Sequence, residues 1–249
     1  MTVRHYDWLA HHANFTPDRT VWTDLHSGRS FTYIEAEDRC NRLAWHLQNN
    51  CDIAKGERIG VLAMNSTDMM EIQSACAKIG AIFLPLNWRL TVPELDFIIK
   101  DADPKVLIHD LAFADEAAAL KESTDVAYFI ETTGGGGDTP YEAAISAAQT
   151  NPVLADLTHD DVWTIMYTSG TTGLPKGAMN TYGMAFYNAV NLGIPARITP
   201  DSVTLTILPL FHTGGLNCYT SICLHTGGTS LIMRAFEPGE VLRLIGDPD

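Results

Sequence analysis

The feature that most constrains the fold is an alternation: short apolar, β-branched runs separated by longer segments with helical periodicity. Glu57–Met64, Ala81–Leu86, Val106–His109, Val126–Ile130, Val162–Tyr167, Val203–Leu210 and Ser230–Met233 are the short runs. Between them lie amphipathic stretches such as Ile34–Leu47, where Ala36, Leu43, Ala44 and Leu47 fall near helical spacing. Strands that alternate with helices predict an α/β fold of mostly parallel, helix-covered sheets. Two helix starts are legible. Ser66 or Thr67 is placed to cap a helix running to about Ile79, with Gly80 as its stop, and Thr91-Val92-Pro93-Glu94 has capping-box spacing with Pro in the first turn. Further helices are expected over Phe113–Lys121, Tyr141–Ala148, Tyr182–Leu192, Leu216–Leu224 and Glu240–Ile245.

The run Gly134-Gly135-Gly136-Gly137 is the clearest interruption. Four glycines do not hold a regular element cheaply, so Thr132–Pro140 is expected to be a mobile loop and a candidate internal break. No repeat of fixed period is present.

Tyr167-Thr168-Ser169-Gly170-Thr171-Thr172-Gly173-Leu174-Pro175-Lys176-Gly177 follows directly on a strand-like run. Ligands of open α/β sheets bind beyond the carboxyl ends of strands. Glycines let several backbone N–H groups converge on one concavity, hydroxyls add donors, and Lys176 adds a positive charge. That mixture suits a polyphosphate. A Walker A loop requires Gly-Lys followed by Ser or Thr, and no lysine in this chain follows a glycine. The hydrolase pattern G-x-S-x-G fails because Tyr167 stands where a glycine belongs before Ser169. The four-glycine run fails the dinucleotide fingerprint at Thr139.

Composition matters here for one reason. With 16 Lys+Arg against 30 Asp+Glu, the net charge is −14. Such a surface repels nucleic acid and anionic membranes, so a phosphate ligand needs a local site that overrides the global field. The five cysteines, Cys40, Cys51, Cys76, Cys218 and Cys223, include no C-x-x-C pair, which reads as reduced thiols of a cytoplasmic protein. No signal-peptide pattern opens the chain, and no apolar stretch is long enough for a membrane span.

Other constellations are weaker. His212, Cys218, Cys223 and His225 lie close in sequence, but on a helix the two cysteines point roughly 140° apart, and buried thiols are the better reading than zinc. His11-His12 reads as a solvated pair. Trp88-Arg89 either meets a phosphate or packs and pairs on the surface, and the surface reading is favoured. His212, in Phe-His-Thr-Gly-Gly, is by default a hydrogen-bonded structural residue.

The string Tyr167–Gly177 resembles the phosphate-loop signature of the adenylate-forming, AMP-binding superfamily. Phe31-Thr32-Tyr33 with Asn41-Arg42-Leu43-Ala44, Lys78–Ala81 through Leu84–Asn87, and Leu208–Gly215 resemble further segments of that family, in order, over nearly the whole chain. The resemblance implies an acyl-CoA synthetase of the fatty-acid–CoA ligase type, with residues 1–249 as part of its large N-terminal domain and 160–249 as the phosphate-loop region. It implies that ATP, with Mg²⁺, activates a carboxylic acid as an acyl-adenylate, and that CoA then takes the acyl group. Thr168, Ser169, Gly170, Thr171, Thr172, Gly173 and Lys176 would line the β- and γ-phosphates. His212 would flank the reacting carboxylate; amino-acid-activating relatives commonly place an Asp in this neighbourhood, so an acid without an amino group is expected. Aryl- and succinylbenzoate-type ligases, and a non-catalytic nucleotide-binding protein, remain alternatives. The chain departs from the family at Thr181-Tyr182, where a Thr- or Ser-His pair is common. The family's adenine- and ribose-binding motifs and its small C-terminal domain have no counterpart in these residues, so the 249 residues alone are not expected to complete adenylation. The oligomeric state is left open.

Overall fold

Local signals build the helices where the spacing places them. Thr32 accepts from the Glu35 N–H while the Glu35 carboxylate accepts from the Thr32 N–H, a capping box that starts α2 (Tyr33–Asn49). Thr91 and Glu94 repeat the device at α4 (Val92–Ala102), with Pro at the first turn. Gly80 closes α3 (Thr67–Ile79) at φ 72°, the left-handed conformation that glycine adopts freely. The cap expected at the start of α3 does not form. Ser66 occupies the position without a side-chain bond, and the Ser66 and Thr67 hydroxyls are buried with no partner among the described residues.

A computed structural model describes residues 2–168 and 173–246. In chain order the remaining elements are α1 (Trp8–Phe15), β1 (Thr20–Asp24), β2 (Ser30–Thr32), β3 (Arg58–Leu62), β4 (Ile82–Pro85), β5 (Pro104–Asp110), α5 (Ala114–Ser123), β6 (Tyr128–Thr132), α6 (Pro140–Ala147), β7 (Val162–Thr168), β8 (Lys176–Thr181), α7 (Tyr182–Gly193), β9 (Val203–Thr206), α8 (Thr213–Gly215), α9 (Ser221–Thr226), β10 (Thr229–Ile232) and α10 (Pro238–Gly246). A π-helical stretch, Leu216–Thr220, joins α8 to α9.

Among the described residues the strands form a six-stranded sheet, β6-β5-β3-β4-β7-β8, and a four-stranded sheet, β2-β1-β10-β9. Every neighbouring pair is parallel except β1–β2 and β7–β8. The mostly parallel α/β expectation is therefore met, with antiparallel strands at one edge of each sheet.

Helix α3 touches β4 of one sheet and β1 of the other, and is buried almost all round. Its charged residues survive there because each has a partner. Asp68 meets Arg29 at 2.8 Å, and Glu71 meets Arg39 at 2.6 Å and the Tyr141 hydroxyl at 2.9 Å. Lys78 bridges Asp7 and Glu37, at 2.7 Å to each. Glu142 of α6 closes the network, bonding both arginines.

The four-glycine run is a turn with specific neighbours. The Thr133 hydroxyl donates to Gly136 O at 2.7 Å, and a Cβ on Gly134 would meet Arg234 Nη1 at 2.9 Å and Ser66 Cβ at 3.2 Å. One hydrophobic core runs across this turn, with Ile130 on one side and Tyr141, Ile145 and Trp163 on the other.

Candidate functional site

Parallel strands send their carboxyl ends the same way, and the residues that follow them form the candidate site. Five chain segments supply it: those after β3, β4, β7, β9 and β10.

The phosphate-loop segment leaves β7 and returns as β8. Thr168 and Lys176 stand directly opposite each other in the antiparallel register. Paired residues share a face of the sheet, so the Thr168 hydroxyl and the Lys176 ammonium lie on one side of the hairpin. Both are exposed. Among the described residues no carboxylate pairs with Lys176, and the Thr168 hydroxyl makes no hydrogen bond. Gly173 has open space where a Cβ would stand. Ser169, Gly170, Thr171 and Thr172 lie outside the described residues. Lys176 was expected in the loop; it is the first residue of β8, a strand that the sequence reading missed. The neighbouring Tyr167 points to the opposite face, packs with Ile165 against the α4 side, and bonds its hydroxyl to Asp101. Burial and the Asp101 carboxylate raise that phenol's pKa. Gly177 leaves room for this ring, since a Cβ there would lie 3.1 Å from Tyr167 Cε2.

The second wall is the segment after β9. Asn65, which follows β3, is buried and bonds this segment twice and the residue after β10 once. Its amide donates to Leu208 O at 2.9 Å and Met233 O at 3.1 Å, and its oxygen accepts from Leu210 N–H at 2.8 Å. Asn65→Ala is expected to lower stability by about 2 kcal/mol, because two carbonyls and an N–H lose their buried partner; a urea denaturation curve measures it. Asn65 was not singled out in the sequence, although a lone amide directly beyond a buried strand end was a usable signal.

His212 accepts from the Gly214 N–H through Nδ1 at 3.1 Å, which caps the α8 turn. The structural role is therefore present. It also sets the tautomer: with Nδ1 accepting, the neutral ring carries its proton on Nε2, which remains a free donor on an exposed side chain. No hydrogen bond or ion pair joins His212 to Thr168 or Lys176 among the described residues.

Trp88 and Arg89 follow β4, the neighbour of β7. The Arg89 guanidinium lies 4.9 Å from the Trp88 ring and 5.8 Å from Phe211, the residue before His212. Arg89 is exposed, and it packs on rings as expected but has no carboxylate partner among the described residues. A cleft of about 340 Å³ opens here, lined by Asn65, Trp88, Arg89, Leu208, Pro209 and Arg234 among others. Arg234, after β10, pairs with Asp110 at the end of β5 at 2.6 Å and so ties the two sheets together beside the cleft.

Among the described residues no group of three or more His, Cys, Asp or Glu is arranged to hold a metal ion. Cys223 is buried against Ser202 O and Thr229 O.

The described residues thus present two mostly parallel sheets with a hydroxyl–lysine hairpin and a donor histidine beyond their strand ends. The AMP-binding enzyme family matches residues 9–247, and the chain belongs to that family. It is 35% identical to a feruloyl-CoA synthase from Amycolatopsis sp over 96% of this chain and 45% of that protein. It is 34% identical to an indoleacetate–CoA ligase from Aromatoleum aromaticum (strain DSM 19018 / LMG 30748 / EbN1), over 93% of this chain and 45% of that one. Among solved structures it resembles ATP-bound MatB from Rhodopseudomonas palustris, with a TM-score of 0.85 and 28% identity, over 96% of this chain and 47% of that chain. The chain thus spans about half the length of the relatives it matches. No helix among the described residues is long and apolar enough to cross a membrane.

Proposed function

We propose that these residues are the N-terminal part of the AMP-binding domain of a cytoplasmic acid–CoA ligase. Its carboxylic acid substrate would attack the α-phosphorus of ATP, breaking the bond to the β-phosphate and releasing pyrophosphate. The thiol sulfur of CoA would then attack the acyl carbon, and AMP would leave as the thiol gives up its proton. The observation that carries the reading is the Thr168–Lys176 pairing: an ammonium and a hydroxyl on one face, without partners among the described residues, at a strand end, in a chain of net charge −14. Together with Ser169, Gly170, Thr171, Thr172 and Gly173, they would hold the β- and γ-phosphates as charge shifts onto the leaving pyrophosphate. Mg²⁺ bound to those phosphates would neutralise part of their charge.

His212 would present Nε2–H toward the reacting carboxylate. A hydrogen-bond donor without a nearby carboxylate counter-charge suits an acid that lacks an ammonium group. Two relatives named for aromatic acids, feruloyl-CoA synthase and indoleacetate–CoA ligase, favour an aromatic acid; a fatty acid is the reading the sequence supports by itself. A substrate panel on the protein at the length of its relatives tests this by following AMP release. Aromatic or fatty acids are expected to exceed amino acids in kcat/KM by at least about tenfold. An amino acid as the best substrate would overturn the assignment of His212.

A further inference from the structure

The segment ahead of α1 is tied down at both ends. His5 N–H donates to Leu157 O at 2.9 Å, and His159 N–H donates to Val3 O at 2.8 Å, a short antiparallel pairing. Further on, the His12 ring nitrogen Nε2 lies 3.0 Å from His225 O at the end of α9. Gly227 makes room for that ring: a Cβ there would stand 2.7 Å from two of its atoms.

Between these ties the segment lies on aromatic rings. His5 sits 4.2 Å from Tyr182, the first residue of α7, which stacks on Trp163 of β7 at 5.5 Å. Trp8 packs edge-on against both Trp163, at 5.3 Å, and His225, at 4.8 Å. Phe186 links His225 to His159. Five histidines, His5, His11, His12, His159 and His225, therefore gather around one buried aromatic cluster. Neither ring nitrogen of His225 has a partner among the described residues, and both are buried.

The charged neighbours are few. Asp7 faces His5 but is held by Lys78 of α3, which Glu37 of α2 also binds. Arg19 repels a charge on His12, and Asp161 lies near Tyr182. Other groups facing the cluster are phenols and thiols: Tyr6, Tyr33, Tyr182, Tyr187, Cys76 and Cys223. Burial lowers His5 from 6.5 to about 4 against the pull of Asp7, with His159 and His225 adding repulsion. Burial also lowers His12, against the pull of the His225 carbonyl, and His225, and neighbouring histidines add to both. A folded-state pKa below the open-state value means the closed form holds neutral rings. Its stability is complete above about pH 6.5 and is lost as pH falls toward 4.

We propose that residues 3–12 are a proton-operated strap: protonation of His5, His12 and His225 detaches it from α7, α9 and residues 157–159. Its release unseats Trp163 and loosens the base of β7, the strand that ends at Thr168. Asp68, in the separate Arg29 network, is pushed up to about 6 by burial and so acts with the opposite sign, favouring the folded state as pH falls. A local readout separates the two.

Amide exchange of this chain across a pH series that includes pH 7 and pH 5, corrected for intrinsic rates, is the test. Peptides covering 3–15 and 157–165 are expected to exchange about tenfold faster at pH 5. Peptides covering β3 and β5 keep their rates, and the far-ultraviolet dichroism is unchanged. His5→Gln and His225→Met each shrink the increase and move its midpoint to lower pH. Uniform acceleration of all peptides, no acceleration of the strap, or an unmoved midpoint in both variants would overturn the proposal. If the variants do not fold, the wild-type profile alone decides between strap release and global unfolding.

Discussion

Gly215→Ala is expected to destabilise the chain by about 3 kcal/mol, the upper end of what a single added methyl costs in a packed site. Gly215 has an ordinary helical conformation, φ −77° and ψ −47°, so the reason is space alone. A Cβ would stand 2.2 Å from Pro209 O and 2.5 Å from Leu208 O, both backbone atoms. That backbone has little freedom to retreat, because Asn65 holds Leu208 O and Leu210 N–H. Gly214→Ala is the control. Its Cβ would meet only side-chain atoms, Leu208 Cδ1 at 3.2 Å and His212 Nδ1 at 3.3 Å, and a loss below about 1 kcal/mol is expected. Urea midpoints of the two variants measure the contrast; equal tolerance of both would show that the Leu208–Leu210 segment is not held as described.

Lys176→Met is expected to weaken ATP binding by about 10- to 100-fold while leaving the urea midpoint unchanged. The magnitude follows from about 1.5–3 kcal/mol for hydrogen bonds to a charged group. Stability is spared because Lys176 is exposed and has no carboxylate partner among the described residues. Thr168→Val, which removes a neutral donor on the same face, is expected to cost roughly fivefold, near 1 kcal/mol. A Lys176→Met variant that loses stability as well as affinity would point to a structural role for the ammonium.

Most of the architecture was legible because it is written in local signals. The capping box at Thr91, the left-handed stop at Gly80 and the apolar runs of β3, β4 and β5 each act over a few residues. What was not legible depends on long-range contact. Strand β8 is an exposed edge whose residues carry little β signal, and only pairing with β7 defines it. Helix α1 and strand β1 have few periodic positions and owe their places to packing on α2 and to pairing with β10. The four-glycine run read as an interruption because glycine is permissive; Gly134, Gly136 and Gly137 do take positive φ, and at Gly134 Arg234 and Ser66 also stand where a side chain would sit. The site divided in the same way. Lys176 and His212 stood out by motif, and the histidine's tautomer followed only from the Gly214 bond. Asn65 and Arg234 organise the cleft from strand ends far apart in sequence, and no local pattern marks such partners.

The Thr168–Lys176 hairpin is expected to recognise the polyphosphate rather than the nucleoside. Calorimetric titration of pyrophosphate, ATP and AMP into the wild type and Lys176→Met, in the protein at the length of its relatives, addresses this directly. Pyrophosphate and ATP are predicted to lose at least about tenfold in affinity in the variant, with AMP unchanged. An equal loss for AMP, or no loss for pyrophosphate, would contradict the assignment.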